Sequence, residues 1–257
     1  MLRTLTTAAL CLLTSPALPQ SSGLPIEGNL LPGWREADGR HIAGIALDLA
    51  PGWKTYWRVP GAGGIPPSFN WSGSSNIVQA EVHYPVPKVM DQNGLQSIGY
   101  DENVVFPVII TTQSADAPII LKAEVDLGVC EEVCIPMTLQ LTARLPALGS
   151  PNAAIAASLE SQPRSAGSFD CEITPIKDGL ALRATTDQAS LKADIAVIEI
   201  STPGVWVSPS DVLQRGATLV AEVEMVPPNA QPFALARSDV RLTLIGEGRA
   251  VELNGCG

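Results

Sequence analysis

Two runs of alternating polarity meet at a Cys-x3-Cys motif between residues 119 and 145, and they constrain the fold more than any other stretch of the chain. Leu121, Ala123, Val125, Leu127 and Val129 share one parity, and Lys122, Glu124 and Asp126 share the other. Beyond the motif, Met137, Leu139, Leu141, Ala143 and Leu145 alternate with Thr138, Gln140, Thr142 and Arg144. Side chains in a strand change face at every residue, so this pattern predicts an antiparallel hairpin with one apolar face. Extended to the cysteines, the parity groups Cys130 with Lys122, Glu124 and Asp126, and Cys134 with Thr138 and Gln140. Both thiols are expected to point away from the core at the hairpin tip, flanked by Glu131 and Glu132.

Similar short strand signals recur on both sides. Gly39 to Leu49, Val78 to Tyr84 and Val104 to Thr111 precede the hairpin; Leu180 to Thr185, Asp194 to Ile200, Thr218 to Met225 and Val240 to Ile245 follow it. An aromatic stretch with Trp53, Tyr56 and Trp57 lies between Pro/Gly turns, followed by a Gly/Pro loop at 61–67. That loop lacks the Lys and Ser/Thr of a phosphate-binding loop. Met90 to Tyr100 reads as a polar loop turning at Asn93-Gly94. Helical periodicity is confined to a short run after Asn152, inside a linker at 147–168. The pattern predicts an all-β chain of two β-sandwich domains, at 21–146 and 169–257, joined by that linker and its short helix.

Residues 1–17 read as a secretory signal: Arg3 supplies the positive charge, Ala8 to Leu13 the apolar run, and Ser15-Pro16-Ala17 the cleavage site. No later segment is long and apolar enough to span a membrane, so the mature protein is expected to be exported and not membrane-spanning. With 26 acidic against 16 basic residues, a formal charge of −10, the chain has no basic stripe for nucleic acid. Cys11 leaves with the signal, and an even set of Cys130, Cys134, Cys171 and Cys256 remains. In an oxidising compartment such a set suggests pairing, and spacing favours Cys130–Cys134 and Cys171–Cys256. The second pair would tie together the ends of one small domain as a structural disulfide, at ~4 kcal/mol by loop entropy.

The Cys130/Cys134 pair itself admits three readings. As a staple it closes a loop too short to remove much unfolded-chain entropy. As a metal site it offers two soft ligands that suit cuprous copper. Met137 is nearby, but its parity is inward, and the histidines His41 and His83 read as strand or surface residues. As a redox pair it presents accessible sulfur to a partner thiolate. No helix N-terminus lowers its pKa, and Glu131 and Glu132 would raise it by like-charge repulsion, giving a thiol that reacts with chosen partners. No serine, histidine or carboxylate constellation of a hydrolase is present, and no cofactor is called for.

Four stretches together carry a resemblance: Gly52-Trp53-Lys54-Thr55-Tyr56-Trp57-Arg58, Asn70-Trp71-Ser72-Gly73, Ile98-Gly99-Tyr100, and Val129-Cys130 through Cys134-Ile135-Pro136. They resemble the N-terminal periplasmic region of the DsbD-type thiol:disulfide interchange reductases, nearest the suppressor-of-copper-sensitivity branch. Phe169-Asp170-Cys171-Glu172, Gly204-Val205-Trp206-Val207 and Ala250 to Cys256 extend the resemblance through the second half. It implies an immunoglobulin-like first domain whose Cys130 and Cys134 relay electrons to or from thioredoxin-like exported proteins. Tyr56 and Trp57 would lie beside the pair, and the loop from Met90 to Leu95 would shield it as a cap. The family's cysteine spacing is longer and its cap carries an aromatic residue, for which Met90 or Leu95 stands here. The chain carries no membrane or thioredoxin-like domain, so a separate membrane electron donor is expected. The resemblance makes the protein a disulfide-interchange component of the periplasm, and its branch keeps open a copper-tolerance role for the same two cysteines.

Overall fold

The computed structural model describes residues 23–92, 94–188 and 191–257. The expected signal at 1–17, with Arg3 and Cys11, lies outside the described residues. Ten strands come first: β1 (Ile26–Arg35), β2 (His41–Leu49), β3 (Thr55–Gly61), β4 (Ser68–Asn70), β5 (Gln79–Val82), β6 (Lys88–Gln92), β7 (Leu95–Tyr100), β8 (Val104–Thr111), β9 (Ile119–Cys130) and β10 (Cys134–Leu145). They build a four-stranded sheet β1-β2-β8-β5, a facing sheet β10-β9-β4, and a small sheet β3-β7-β6. Ile45, Leu47, Phe106 and Val108 from the first sheet pack against Leu121, Val125, Leu127 and Val129 of β9, all at most 1% exposed. Antiparallel sheets with one solvated face read as clean alternation, and β9 follows that rule over its first eight residues.

One expectation changes. Met90 to Tyr100 forms most of a β-hairpin, with β6 and β7 paired from Lys88↔Gly99 to Gln92↔Leu95, where a loop is expected. Polar residues dominate its outer half, and Ser97, Ile98, Gly99 and Tyr100 are buried in a row in β7, so the alternation a strand normally shows is missing. Gly99 permits its close approach to β3: a Cβ there would lie 2.0 Å from the Thr55 carbonyl oxygen.

The remaining elements are α1 (Ala153–Glu160), β11 (Arg164–Ser165), β12 (Asp170–Ile176), β13 (Gly179–Thr186), β14 (Ile195–Ile200), β15 (Trp206–Val207), β16 (Asp211–Arg215), β17 (Thr218–Val226), β18 (Val240–Gly246) and β19 (Arg249–Asn254). Asn152 caps α1, its side chain accepting from the Ala154 and Ile155 amides. The helix is not a free spacer: Ile155 is buried and Ser158 Oγ donates to the Val105 carbonyl on β8. The later strands form sheets β11-β19-β18-β14 and β12-β13-β17-β15, with β16 also on β17, around a second core containing Leu182, Val223, Met225 and Leu242. Ile195, Val197, Ile245 and Ala250 face the other way and join the core of the first sandwich. The two halves therefore share an apolar junction. Among the described residues no helix is long and apolar enough to cross a membrane.

Candidate redox site

Cys130 ends β9 and Cys134 begins β10, and the hairpin register places them directly opposite each other across the turn Glu131-Glu132-Val133. Their sulfurs are bonded, with the Cα atoms 4.1 Å apart. The pair is asymmetric. Cys134 is exposed, whereas Cys130 is only 1% exposed.

The expectation that both sulfurs face solvent is therefore corrected for Cys130. It shares a face with Lys122, Glu124 and Asp126 as the parity requires, but that face is covered at its distal end. Backbone bonds of 2.9 Å run both ways between Lys54 and Cys130, continuing the sheet past the end of β4. Thr55 Oγ1 donates to the Gly128 carbonyl at 2.9 Å. Ile65 closes over Gly128, where a Cβ would lie 2.7 Å from the isoleucine Cβ. The segment 54–65 thus roofs the end of β9, and the loss of charged side chains after Asp126 is the local signal of that roof.

Tyr56 completes the roof. Its hydroxyl donates to Cys130 Sγ at 2.8 Å and lies 3.2 Å from Cys134 Sγ. Neither bonded sulfur carries a proton, so the phenol is the donor. Tyr56 is 2% exposed, and burial raises its pKa, which keeps that proton in place at neutral pH. Trp57 points the other way, as the next residue of a strand must, and is buried in the core of the first sandwich.

Met90 and Leu95 sit in β6 and β7, on the sheet that holds β3, and the Leu95 side chain is exposed. Glu131 and Glu132 are exposed at the tip, with Glu131 Oε1 3.2 Å from where a Gly52 Cβ would stand. Val133 and Ile135 add exposed apolar surface beside Cys134. Met137 lies on the inner face, partly buried against the core. Among the described residues, no group of three His, Cys, Asp or Glu side chains converges as a metal site. Residue-by-residue reading missed Thr55, Ile65 and Arg58, which lie in the roof or hold it.

Chemically, this arrangement suits attack at one sulfur and departure of the other. An incoming thiolate can reach Cys134 Sγ, and the Cys130 sulfur then leaves as a thiolate beneath a fixed O–H donor. Hydrogen bonds to a charged acceptor are stronger than to a neutral one, so Tyr56 favours the state in which Cys130 carries charge.

The second disulfide, Cys171–Cys256, spans 85 residues and joins the start of β12 to the penultimate residue. Arg237 Nη1 donates to the Cys171 carbonyl at 2.9 Å and lies 3.0 Å from its sulfur. Cys256 is buried and Cys171 half-buried.

A family model of the N-terminal part of thiol:disulfide interchange protein DsbD matches residues 27–146, the span of the first sandwich and its cysteine hairpin. The matched span carries its one cysteine pair at the hairpin just described, and the family is named for thiol:disulfide interchange. The chain is similar in fold to the crystal structure of the N-terminal periplasmic domain of ScsB from Proteus mirabilis. The two are 23% identical over 90% of this chain and 92% of that one, with a TM-score of 0.60. That likeness extends the shared fold past the DsbD-type domain into the second set of strands. No curated protein matches the sequence.

Proposed function

We propose that this chain relays electrons in the periplasm through Cys130–Cys134, exchanging disulfides with thioredoxin-like partners fed by a membrane electron donor. The observation that carries the reading is the asymmetry of the pair: one reachable sulfur and one buried sulfur held by a tyrosine hydroxyl. In the reductive half, a partner thiolate attacks Cys134 Sγ. A partner–Cys134 bond forms, the Cys134–Cys130 bond breaks, and its electron pair leaves on Cys130 under the Tyr56 donor. The partner's second thiolate then attacks its own sulfur in the mixed disulfide and releases Cys134. The partner leaves oxidised and the hairpin dithiol is reduced. Running the same steps backward passes the electrons to an oxidised acceptor.

Exposed apolar side chains at Val133 and Ile135, with Glu131 and Glu132 beside them, suit a partner that meets the hairpin tip. Met90 and Leu95, on the neighbouring hairpin, are the residues we assign to shielding it. Cys171–Cys256 serves in this reading as the structural tie of the second sandwich.

Trapping tests the assignment. The Cys130→Ala variant keeps the reachable thiol and should accumulate a mixed disulfide with an oxidised thioredoxin-like protein. The Cys134→Ala variant keeps only the buried sulfur and should trap little. Equal absence of adducts from both variants overturns the relay reading, and stronger trapping by Cys134→Ala reverses the assignment of the two cysteines.

A further inference from the structure

Arg58 lies two residues beyond Tyr56 on β3, and it reaches out of the first sandwich into the second. Its Nε donates to both Glu199 oxygens at 3.0 and 3.1 Å, and its Nη2 donates to Glu199 Oε2 and Glu252 Oε2 at 2.8 Å each. Thr243 Oγ1 lies 3.3 Å from the same nitrogen. Glu199, Thr243 and Glu252 come from β14, β18 and β19, three neighbouring strands of one sheet. The guanidinium also sits 3.9 Å above the Trp57 ring. Burial alone would depress its pKa, but hydrogen bonding and charge from Glu199, then Glu252, outweigh that and raise it. Side-chain exposures of 18% for Arg58, 20% for Glu199 and 21% for Glu252 make this a largely enclosed ion cluster. Removing one member of such a cluster costs far more than breaking a surface pair.

The position of the cluster in the chain gives it a second consequence. β3 pairs with β7 at Thr55↔Tyr100 and Tyr56↔Gly99, and pairing resumes only at Gly61↔Ser97. Residues 57–60 therefore have no regular ladder to fix them, and Pro60 has no amide to offer one. Arg58 stands in the middle of this gap. On one side of it Tyr56 holds the Cys130 sulfur. On the other, the loop folds back so closely that a Cβ on Gly64 would lie 2.6 Å from Tyr56 Cδ1. The Gly63 carbonyl of that loop comes within 3.9 Å of Cys134 Sγ, a contact a reduced thiol can use as donor.

We propose that the second sandwich acts on the redox pair through Arg58: the Glu199–Glu252 clamp is a positioning device that holds Tyr56 and the 61–64 loop against the two sulfurs. The inference rests on the disulfide-exchange reading for its purpose, but its geometry concerns only how the pair is tuned. Arg58 touches neither sulfur and is a positioning residue. Cutting the clamp frees 57–60, lets the tyrosine hydroxyl leave Cys130, and withdraws the donor that favours the reduced state.

The test is the equilibrium constant of Cys130–Cys134 against glutathione buffers, with dithiothreitol buffers as extension, which needs no protein partner. Thermal unfolding is measured on the same samples. Arg58→Met should shift the equilibrium toward the disulfide by about fivefold, in the direction given by Tyr56→Phe. Combining the two should shift it no further than Tyr56→Phe alone. Arg58→Lys, which keeps the charge and one carboxylate partner, should recover much of the wild-type value. Should Arg58→Met fail to fold, Glu199→Gln and Glu252→Gln carry the same cycle. An equilibrium unchanged within about twofold beside a lowered melting temperature would overturn the proposal and leave the clamp purely structural. Additive shifts in the Arg58/Tyr56 double variant would overturn it too, because they remove Tyr56 as the route. A wild-type pair that equilibrates normally yet traps no thioredoxin-like protein would count against the relay alone.

Discussion

Replacing Tyr56 by Phe removes one oxygen from the roof and leaves the ring in place. The lost contact is a 2.8 Å hydrogen bond to Cys130 Sγ. To a neutral disulfide sulfur that bond is worth about 0.5–1 kcal/mol; to a thiolate it is worth about 1.5–3 kcal/mol. The difference, roughly 1–2 kcal/mol, falls on the charged form and raises the Cys130 thiol pKa by about one unit. In the exchange step the leaving sulfur carries part of this charge, so reduction by a thioredoxin-like dithiol should slow by about three- to tenfold. The assay has two parts. Ultraviolet thiolate absorbance of the Cys134→Ala protein against pH, with and without Tyr56→Phe, gives the pKa. Stopped-flow reduction of the intact disulfide gives the rate. An unchanged titration and an unchanged rate would mean that the hydroxyl does not distinguish the two states of Cys130.

Three further outcomes are expected. Gly99→Ala places a Cβ 2.0 Å from the Thr55 carbonyl oxygen, so β3 and β7 must separate; chemical denaturation should show a loss of about 2–4 kcal/mol, and the Tyr56 contact should weaken with it. His41 is fully buried, its Nε2 2.6 Å from the Pro32 carbonyl, and Nδ1 has no hydrogen-bond partner among the described residues. Burial, and then the nearby Arg35 charge, act against protonation and lower its pKa despite the Pro32 bond. A depressed histidine pKa means the unfolded chain binds the extra proton first, so stability is intact above about pH 6.5 and falls as pH drops below it, by at most about 1.4 kcal/mol per pH unit. Stability curves of wild type and His41→Gln should diverge in that window and run parallel above it. Finally, Cys171→Ala/Cys256→Ala should lose about 4–5 kcal/mol of stability by loop entropy while leaving trapping at Cys134 intact.

How much of this was legible depended on where each constraint lay in the chain. The apolar parity of β9 announced the sandwich because its partners are supplied by one continuous core. Parity fixes the face of the sheet on which Cys130 lies, and not what covers that face. The cover comes from Lys54, Tyr56 and Ile65, more than sixty residues earlier. Gly128, where the charged series stops, is the one trace of it nearby. The 88–100 hairpin escapes a periodicity reading for a related reason: its outer half mixes Asp91 and Gln96 with Met90 and Leu95 without strict alternation, and Asn93-Gly94 is a turn signal that loops share. Arg58 directly follows Tyr56-Trp57, with Lys54 in the same aromatic stretch, and nothing in that run names the sheet that neutralises it. The helix after Asn152 was readable from its cap and alanines, whereas its seat on β8 depends on Ser158 and Ile155 meeting a sheet formed elsewhere.

We propose that one disulfide is made to exchange and the other to hold. The Tyr56 hydroxyl on Cys130 Sγ favours the reduced form of the Cys130–Cys134 pair and so raises its potential. Determining the reduction potential of each disulfide separately, by alkylation and mass mapping across a redox series, tests this directly. Cys130–Cys134 should fall in the range of thioredoxin-family couples, about −200 to −270 mV, with Cys171–Cys256 below about −300 mV. A Cys130–Cys134 potential as low as that of its neighbour, or lower, would contradict the account.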